Sequence, residues 1–138
     1  MAGLVAVNKA LLTTLYFSTL VSPALVNGSV NPSNLIREIV ETYQKHGWQW
    51  RRVLLRPETR AELELENVSF GTAETEEASV DGLWFSRGSH NQREAWELRL
   101  LAESPFALFE TFEHDETEEQ REDMRREMEA RMRDYVKK

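Results

Sequence analysis

The chain lacks cysteine altogether, which excludes disulfide bonds, thiolate metal sites and a thiol nucleophile. Histidine is scarce as well, because the 138 residues contain three, His46, His90 and His114, and these form no HxxxH or HExxH pair. The sequence also lacks a GxSxG nucleophile motif, a glycine-rich phosphate loop and an Asp-rich calcium loop. We therefore predict no catalytic residues, no metal and no cofactor, and we favour a protein that is not an enzyme.

Basic residues are in the minority, with 17 Lys and Arg against 24 Asp and Glu, so the formal net charge is −7. This balance argues against nucleic acid as a partner, because phosphate binding relies on clustered Lys and Arg. The charges are also segregated. Residues 45–60 carry five basic residues and one acid, residues 61–81 carry seven acids and no Lys or Arg, and residues 113–123 carry seven acids and one Arg. We interpret these blocks as intramolecular neutralisation combined with solvated faces.

Long apolar runs are scarce, and the clearest is near the N-terminus, where residues 10–26 contain no charge. The run is short and rich in Thr and Ser for a membrane span, and Ser22 and Ala24 suit a signal-peptidase site. Three interpretations stay open: a signal peptide or anchor, a segment that packs on the domain, or a start codon placed too far upstream. We favour a cytoplasmic location, with secretion or membrane anchoring if residues 1–28 are a signal or an anchor. Membrane contact requires that residues 10–26 are retained.

Two segments have both the start signal and the apolar stripe of a helix. Residues 32–46 have Asn31 as N-cap and Pro32 at the first helical position, and Gly47 follows as the left-handed cap. Their apolar residues recur at helical spacing: Leu35, Ile36, Ile39, Val40 and Tyr43. A long second helix follows Thr117, which fits a capping box with Gln120. Its narrow apolar stripe consists of Met124, Met128, Met132, Tyr135 and Val136.

Alternating apolar residues predict four strands, at residues 48–56, at residues 80–87 and in the two arms of a hairpin over residues 93–112. Between the first two strands, residues 58–66 favour a short helix or turn. Residues 67–79 are rich in Gly, Thr, Ser and Glu, so we predict a flexible acidic loop there.

The two arms of the hairpin differ in their faces. On the first arm three apolar residues share one face, and Glu97 and Arg99 are predicted to form a solvent-facing side. On the second arm Leu108 and Phe112 lie opposite Phe109, so both faces are apolar. This strand is therefore expected to need cover from two directions.

These elements predict an α+β fold: a four-stranded, largely antiparallel sheet packed with an N-terminal amphipathic helix and a long C-terminal helix. We divide the chain into an apolar N-terminal segment, residues 1–30, and a single domain, residues 31–138. The sequence contains no internal repeat.

Two residue groups stand out as candidate binding groups. Residues 48–52 interleave tryptophan and arginine, a combination that stacks on bases or grips an acidic peptide, although we favour tryptophans in the core and arginines facing the acidic residues 62–81. The methionine stripe of the last helix suits either an adaptable interface or the core, and we favour the core. The candidate ligand- or partner-binding residues are Trp48, Trp50, Arg51, Arg52, Trp84, Arg99, Met124, Met128 and Met132.

The leading prediction is a small non-enzymatic protein-binding or regulatory domain. Its partner, another protein or a second copy, would contact the C-terminal helix or the edge of the sheet. The alternative is a small-ligand-binding protein or an enzyme with a pocket between sheet and helix, lined by tryptophans, in which Arg51, Arg52 or Arg99 holds an anion. Single-stranded nucleic acid bound by the Trp/Arg strand is a third hypothesis.

Overall fold

Three helices and five strands follow one another in residues 31–137, the part of the chain that the structure, a computed structural model, describes. The predictions for residues 1–30 lie outside these described residues. In chain order the elements are α1 (Pro32–Lys45), β1 (Gln49–Leu55), α2 (Pro57–Leu65), β2 (Glu74–Glu77), β3 (Gly82–Gly88), β4 (Glu94–Leu100), β5 (Ala107–Phe112) and α3 (Glu118–Lys137), with a 3-10 turn at His90–Gln92.

The two predicted helices form where their local signals place them. The Asn31 side chain accepts a hydrogen bond from the Ser33 backbone N–H at 2.9 Å, and Gly47 after α1 has a φ of +85°. Before α3 the capping box is complete, because the Gln120 N–H donates to Thr117 Oγ1 at 3.1 Å and the Thr117 N–H donates to Gln120 Oε1 at 2.9 Å. The ambiguous residues 58–66 lie mainly in helix α2.

The sheet is mixed, with the order β2-β1-β3-β4-β5. β1 and β2 pair in parallel and the other neighbours are antiparallel. The α+β class is confirmed, but the prediction of four strands and of a loop throughout residues 67–79 is wrong, because β2 lies there. Glu74–Glu77 has a low strand propensity, and its pairing with β1 is formed across the intervening helix α2, so no local pattern indicates it.

Both faces of the sheet are covered by helices. On one face, which we call the α1 face, α1 and α2 pack with Trp48, which precedes β1, and with the sheet residues Val53, Leu55, Leu83, Phe85 and Ala95. On the opposite face, the α3 face, the sheet residues Leu54, Trp84, Trp96, Leu98, Leu100, Leu108 and Phe112 pack with Met128 and Met132. Phe109 packs on the α1 face, so the prediction that β5 needs cover from two directions is confirmed.

The predicted solvent-facing side of β4 is wrong, because Glu97 and Arg99 are both 0% exposed and lie on the α1 face. Alternation shows which residues share a face but does not show whether a helix covers that face. The Tyr43 hydroxyl donates a hydrogen bond to Glu97 Oε2, and Arg99 Nη1 donates to the Leu100 carbonyl. Among the described residues, Glu97 Oε1 and the Nε and Nη2 atoms of Arg99 have no hydrogen-bond partner.

Burial is the largest cause of the pKa shifts of Glu97, Arg99 and Tyr43. It raises the pKa of Glu97 from 4.5 to about 8, although the hydrogen bond from Tyr43 and the charges of Arg99 and Arg87 act in the opposite direction. Burial also lowers the pKa of Arg99 and raises that of Tyr43. At neutral pH the folded protein therefore holds Glu97 mainly in its protonated form.

Replacement of Glu97 with Gln should flatten the pH dependence of stability. Unfolded Glu97 loses its proton near pH 4.5 and folded Glu97 near pH 8, so the wild-type free energy of unfolding should fall as pH rises between these values. The slope contributed by one such group is at most about 1.4 kcal/mol per pH unit. Urea unfolding at a series of pH values measures it. Glu97→Gln should lose this slope and Glu103→Gln, at an exposed position, should keep it; equal slopes in all three proteins would contradict the assignment.

Alanine substitutions in the methionine stripe should show which of its residues belong to the core. Met132 is 0% exposed beneath the sheet, so Met132→Ala should lower the free energy of unfolding by about 2–5 kcal/mol. Met124 is only partly buried on the same helix, and Met124→Ala should cost clearly less. Denaturant unfolding of both variants is the measurement. Small losses in both variants, or a change in association state without a change in stability, would show that the stripe is not core.

Candidate functional site

The nine candidate residues are divided between the two faces of the sheet, so they do not form one site. The α1 face has Trp48, Trp50 and Arg99, and the α3 face has Arg52, Trp84, Met124, Met128 and Met132. Arg51 is exposed, and it is itself the extra residue of a β-bulge in β1.

This β-bulge in β1 separates residues that the simple alternation placed together. Trp50 pairs with Phe85 and Arg52 pairs with the next residue, Trp84, so Arg51 is an extra residue in the register. As a result Trp50 packs on the α1 face, whereas Arg52 reaches Glu122 of α3. Strict alternation over residues 48–56 predicts Trp50 and Arg52 on one side of the strand, and the bulge makes this prediction wrong.

On the α3 face, charged side chains join the sheet to α3. Arg52 forms two hydrogen bonds with Glu122, at 3.1 and 3.3 Å. The Arg125 side chain is 1% exposed; its Cζ lies 4.2 Å from the Trp96 ring centroid and its Nη2 lies 2.8 Å from Glu118 Oε2. These groups are engaged with one another. They hold α3 in place rather than present a surface to a ligand.

In this network, oppositely charged side chains shift each other's pKa values. Burial acts to raise the pKa of Glu122, but the hydrogen bond and charge of Arg52 outweigh it, and the pKa is lowered. Burial acts to lower the pKa of Arg52, but Glu122, with Glu76 and Glu74, raises it above its usual value. A buried tryptophan joins the same helix, because Trp84 Nε1 donates to Glu129 Oε2 at 2.9 Å.

One depression lies on the α1 face, at the start of β1. It is a cleft of about 740 Å³ between the end of α1, the first residues of β1 and residues 70–74. Trp50 and Phe70 line it with their rings edge to face, the centroids 6.0 Å apart. Arg51 and Glu74, both exposed, are also among the lining residues. We call this depression the Trp50 cleft.

A second depression, of about 410 Å³, also contacts Trp50. It lies between α1 and residues 66–69, and its apolar lining includes Ile36, Val40 and Val68. Trp50 Nε1 donates to the Arg52 carbonyl at 3.1 Å, and this hydrogen bond fixes the orientation of the indole. The indole therefore lies fixed between two depressions.

The Trp50 cleft ends at the edge of the sheet. Glu74, part of its lining, is the first residue of β2, and β2 is the outermost strand. Among the described residues, no strand pairs with the outer edge of β2. An aromatic cleft and an open strand edge are thus contiguous.

Sequence reasoning selected Trp48, Trp50 and Arg51 and named the edge of the sheet as a contact surface, but it missed Phe70 and the strand β2 that forms this edge. One signal was available, because Phe70 is the single aromatic residue in the acidic residues 61–81. An aromatic residue in such a segment indicates contact with the folded domain.

No helix within residues 31–137 is long and apolar enough to cross a membrane. The same described residues contain no group of three or more His, Asp or Glu side chains placed to hold a metal ion.

Comparisons of this chain with protein families, with curated proteins and with solved structures find no match.

Proposed function

We propose that this chain is a small non-enzymatic protein-binding domain, and that its partner docks in the Trp50 cleft. The observation that carries the proposal is the exposure of Trp50. The other three tryptophans, Trp48, Trp84 and Trp96, are at most 5% exposed, whereas Trp50 remains partly exposed between two depressions.

An aromatic side chain in this setting suits recognition. Tryptophan combines a large apolar surface with few rotatable bonds, and such residues dominate the binding energy of protein interfaces. The indole of Trp50 is already oriented by its hydrogen bond to Arg52 and its edge-to-face contact with Phe70. A partner would therefore lose little free energy in ordering this part of the site.

The exposed polar groups around the cleft supply orientation rather than catalysis. Its exposed polar residues include two amides, Gln44 and Gln49, one guanidinium, Arg51, and one carboxylate, Glu74. Amide and guanidinium groups hold a peptide backbone or an acidic group well, but they are poor proton-transfer groups near neutral pH. This composition favours binding over chemistry.

A small-molecule ligand is the second candidate function, and the size of the cleft favours it. Its volume of about 740 Å³ falls within the range of small-molecule pockets, about 300–1,000 Å³. In that case Arg51 would pair with an anionic group of the ligand.

The proposal predicts that short random peptides displayed on phage can be selected on the wild-type domain, and that Phe70→Ala weakens them. Phe70 is partly buried in a loop, so this change removes one wall of the cleft and leaves the helices and sheet intact. We expect a loss of about tenfold in affinity or more, equivalent to about 1.4 kcal/mol. Isothermal titration calorimetry with the selected peptides measures the loss, and circular dichroism checks the fold.

Leu65→Ala is the matched control, because Leu65 is 86% exposed and is not part of the cleft lining. It should leave peptide affinity unchanged. Failure to select any peptide, or equal affinity for wild type and Phe70→Ala, would contradict the proposal. If small anionic compounds bind in place of peptides and Arg51→Gln abolishes that binding, the second candidate replaces the first.

A further inference from the structure

We infer that the partner is an extended, basic segment of another protein, which adds a strand to the outer edge of β2 and places an apolar side chain in the Trp50 cleft. This inference rests on the proposed function and specifies the chemistry of the partner. Three observations carry it: the unpaired edge, its charge and its junction with the cleft.

The first observation is the position of β2. It pairs through one edge with β1, from Arg52 opposite Glu74 to Leu55 opposite Glu77. Its other edge directs backbone N–H and C=O groups away from the sheet, and no strand among the described residues pairs with them. An unpaired edge of this kind is the template for strand addition by an extended peptide.

The second observation is the charge of the edge. Three of the four residues of β2 are acidic, Glu74, Glu76 and Glu77, and none of them forms a salt bridge within residues 31–137. The surrounding residues 61–81 contain seven acids and no Lys or Arg. A partner strand with alternating Lys or Arg would neutralise this charge.

The same charge excludes the simplest competing partner, a second copy of the chain. Pairing of two β2 edges would bring three carboxylates from each copy together, and like charges across a strand pair are destabilising. Acidic edges are a known protection against self-association of sheets. The edge is therefore selective, since it repels the same edge of a second copy and attracts a basic strand.

The other edge of the sheet does not offer this selectivity. β5 has one acidic residue, Glu110, and its side chain is buried on the α3 face. A basic segment would find no row of exposed carboxylates there.

The third observation is the junction between edge and cleft. β2 has four residues, so an added strand would form few backbone hydrogen bonds, and each gives little net affinity. A peptide that runs past Glu74 enters the Trp50 cleft, where Trp50 and Phe70 can bury one apolar side chain. The hydrogen bonds would fix register and direction, and the cleft would supply the remaining affinity.

Three synthetic peptides test the inference by calorimetry with the full chain. The first alternates lysine with valine and ends in leucine. The second has glutamate in place of lysine, and the third is the first peptide with alternate backbone nitrogens methylated on the edge that would face β2. We expect binding of the first peptide, weakening as salt is raised, with no detectable binding of the second and a loss of tenfold or more for the third.

Charge variants locate the binding. Glu74→Gln combined with Glu77→Lys should weaken the basic peptide tenfold or more. Glu62→Lys combined with Glu64→Gln changes the net charge equally at exposed positions of α2 and should have a much smaller effect. Circular dichroism checks that both variants fold, and amide exchange should slow at residues 74–77 when the peptide is bound.

Failure of this inference can be distinguished from failure of the proposed function. If peptides selected on the domain lose affinity in Phe70→Ala but are not basic and tolerate backbone methylation, strand addition is overturned and the cleft stands as the binding site. Equal binding of the lysine and glutamate peptides would also overturn it. If no peptide binds at all, both the inference and the proposed function fail.

Discussion

The structure depends on the cover of both faces of one sheet. Neighbouring residues of a strand point to opposite faces, so Leu54 and Trp84 require a helix on one side, and Val53 and Phe85 require another on the opposite side. Helix α3 covers Leu54 and Trp84, and α1 with α2 covers Val53 and Phe85. Because helices cover both faces, charged residues at covered positions of the central strands, such as Glu97 and Arg99, are buried and need compensation there.

Buried charged groups are compensated differently on the two faces. On the α3 face Arg125 retains its charge, because Trp96 provides an aromatic surface at 4.2 Å and Glu118 provides a counter-ion at 2.8 Å. On the α1 face Glu97 takes up a proton, with its pKa raised to about 8. Burial of an ionised carboxylate without full compensation costs several kcal/mol, so the protonated form has the lower free energy at neutral pH.

The sequence predicts the parts of this fold whose causes are local. α1 and α3 follow from caps and stripes that lie within the elements themselves, as the capping box of Thr117 and Gln120 shows. Three features depend on pairing across the chain and were not predictable from local patterns: β2, which needs β1; the burial of Glu97, which needs α1; and the shift of register at Arg51. The candidate site is affected in the same way, since Trp50, Arg51 and a sheet edge were identified, whereas Phe70 and the strand β2 that forms this edge were not.

The register shift at Arg51 joins the architecture to the candidate site. If Arg51 were a regular member of the ladder, strict alternation would place Trp50 and Arg52 on the same face. The bulge instead directs Arg52 to Glu122, where it holds α3, and directs Trp50 to the opposite face at the start of β1. The Arg52 carbonyl then accepts the hydrogen bond that fixes the indole of Trp50. The bulge thus lets two residues that are two positions apart serve opposite faces: Arg52 anchors the C-terminal helix, and Trp50 forms the oriented aromatic surface of the cleft.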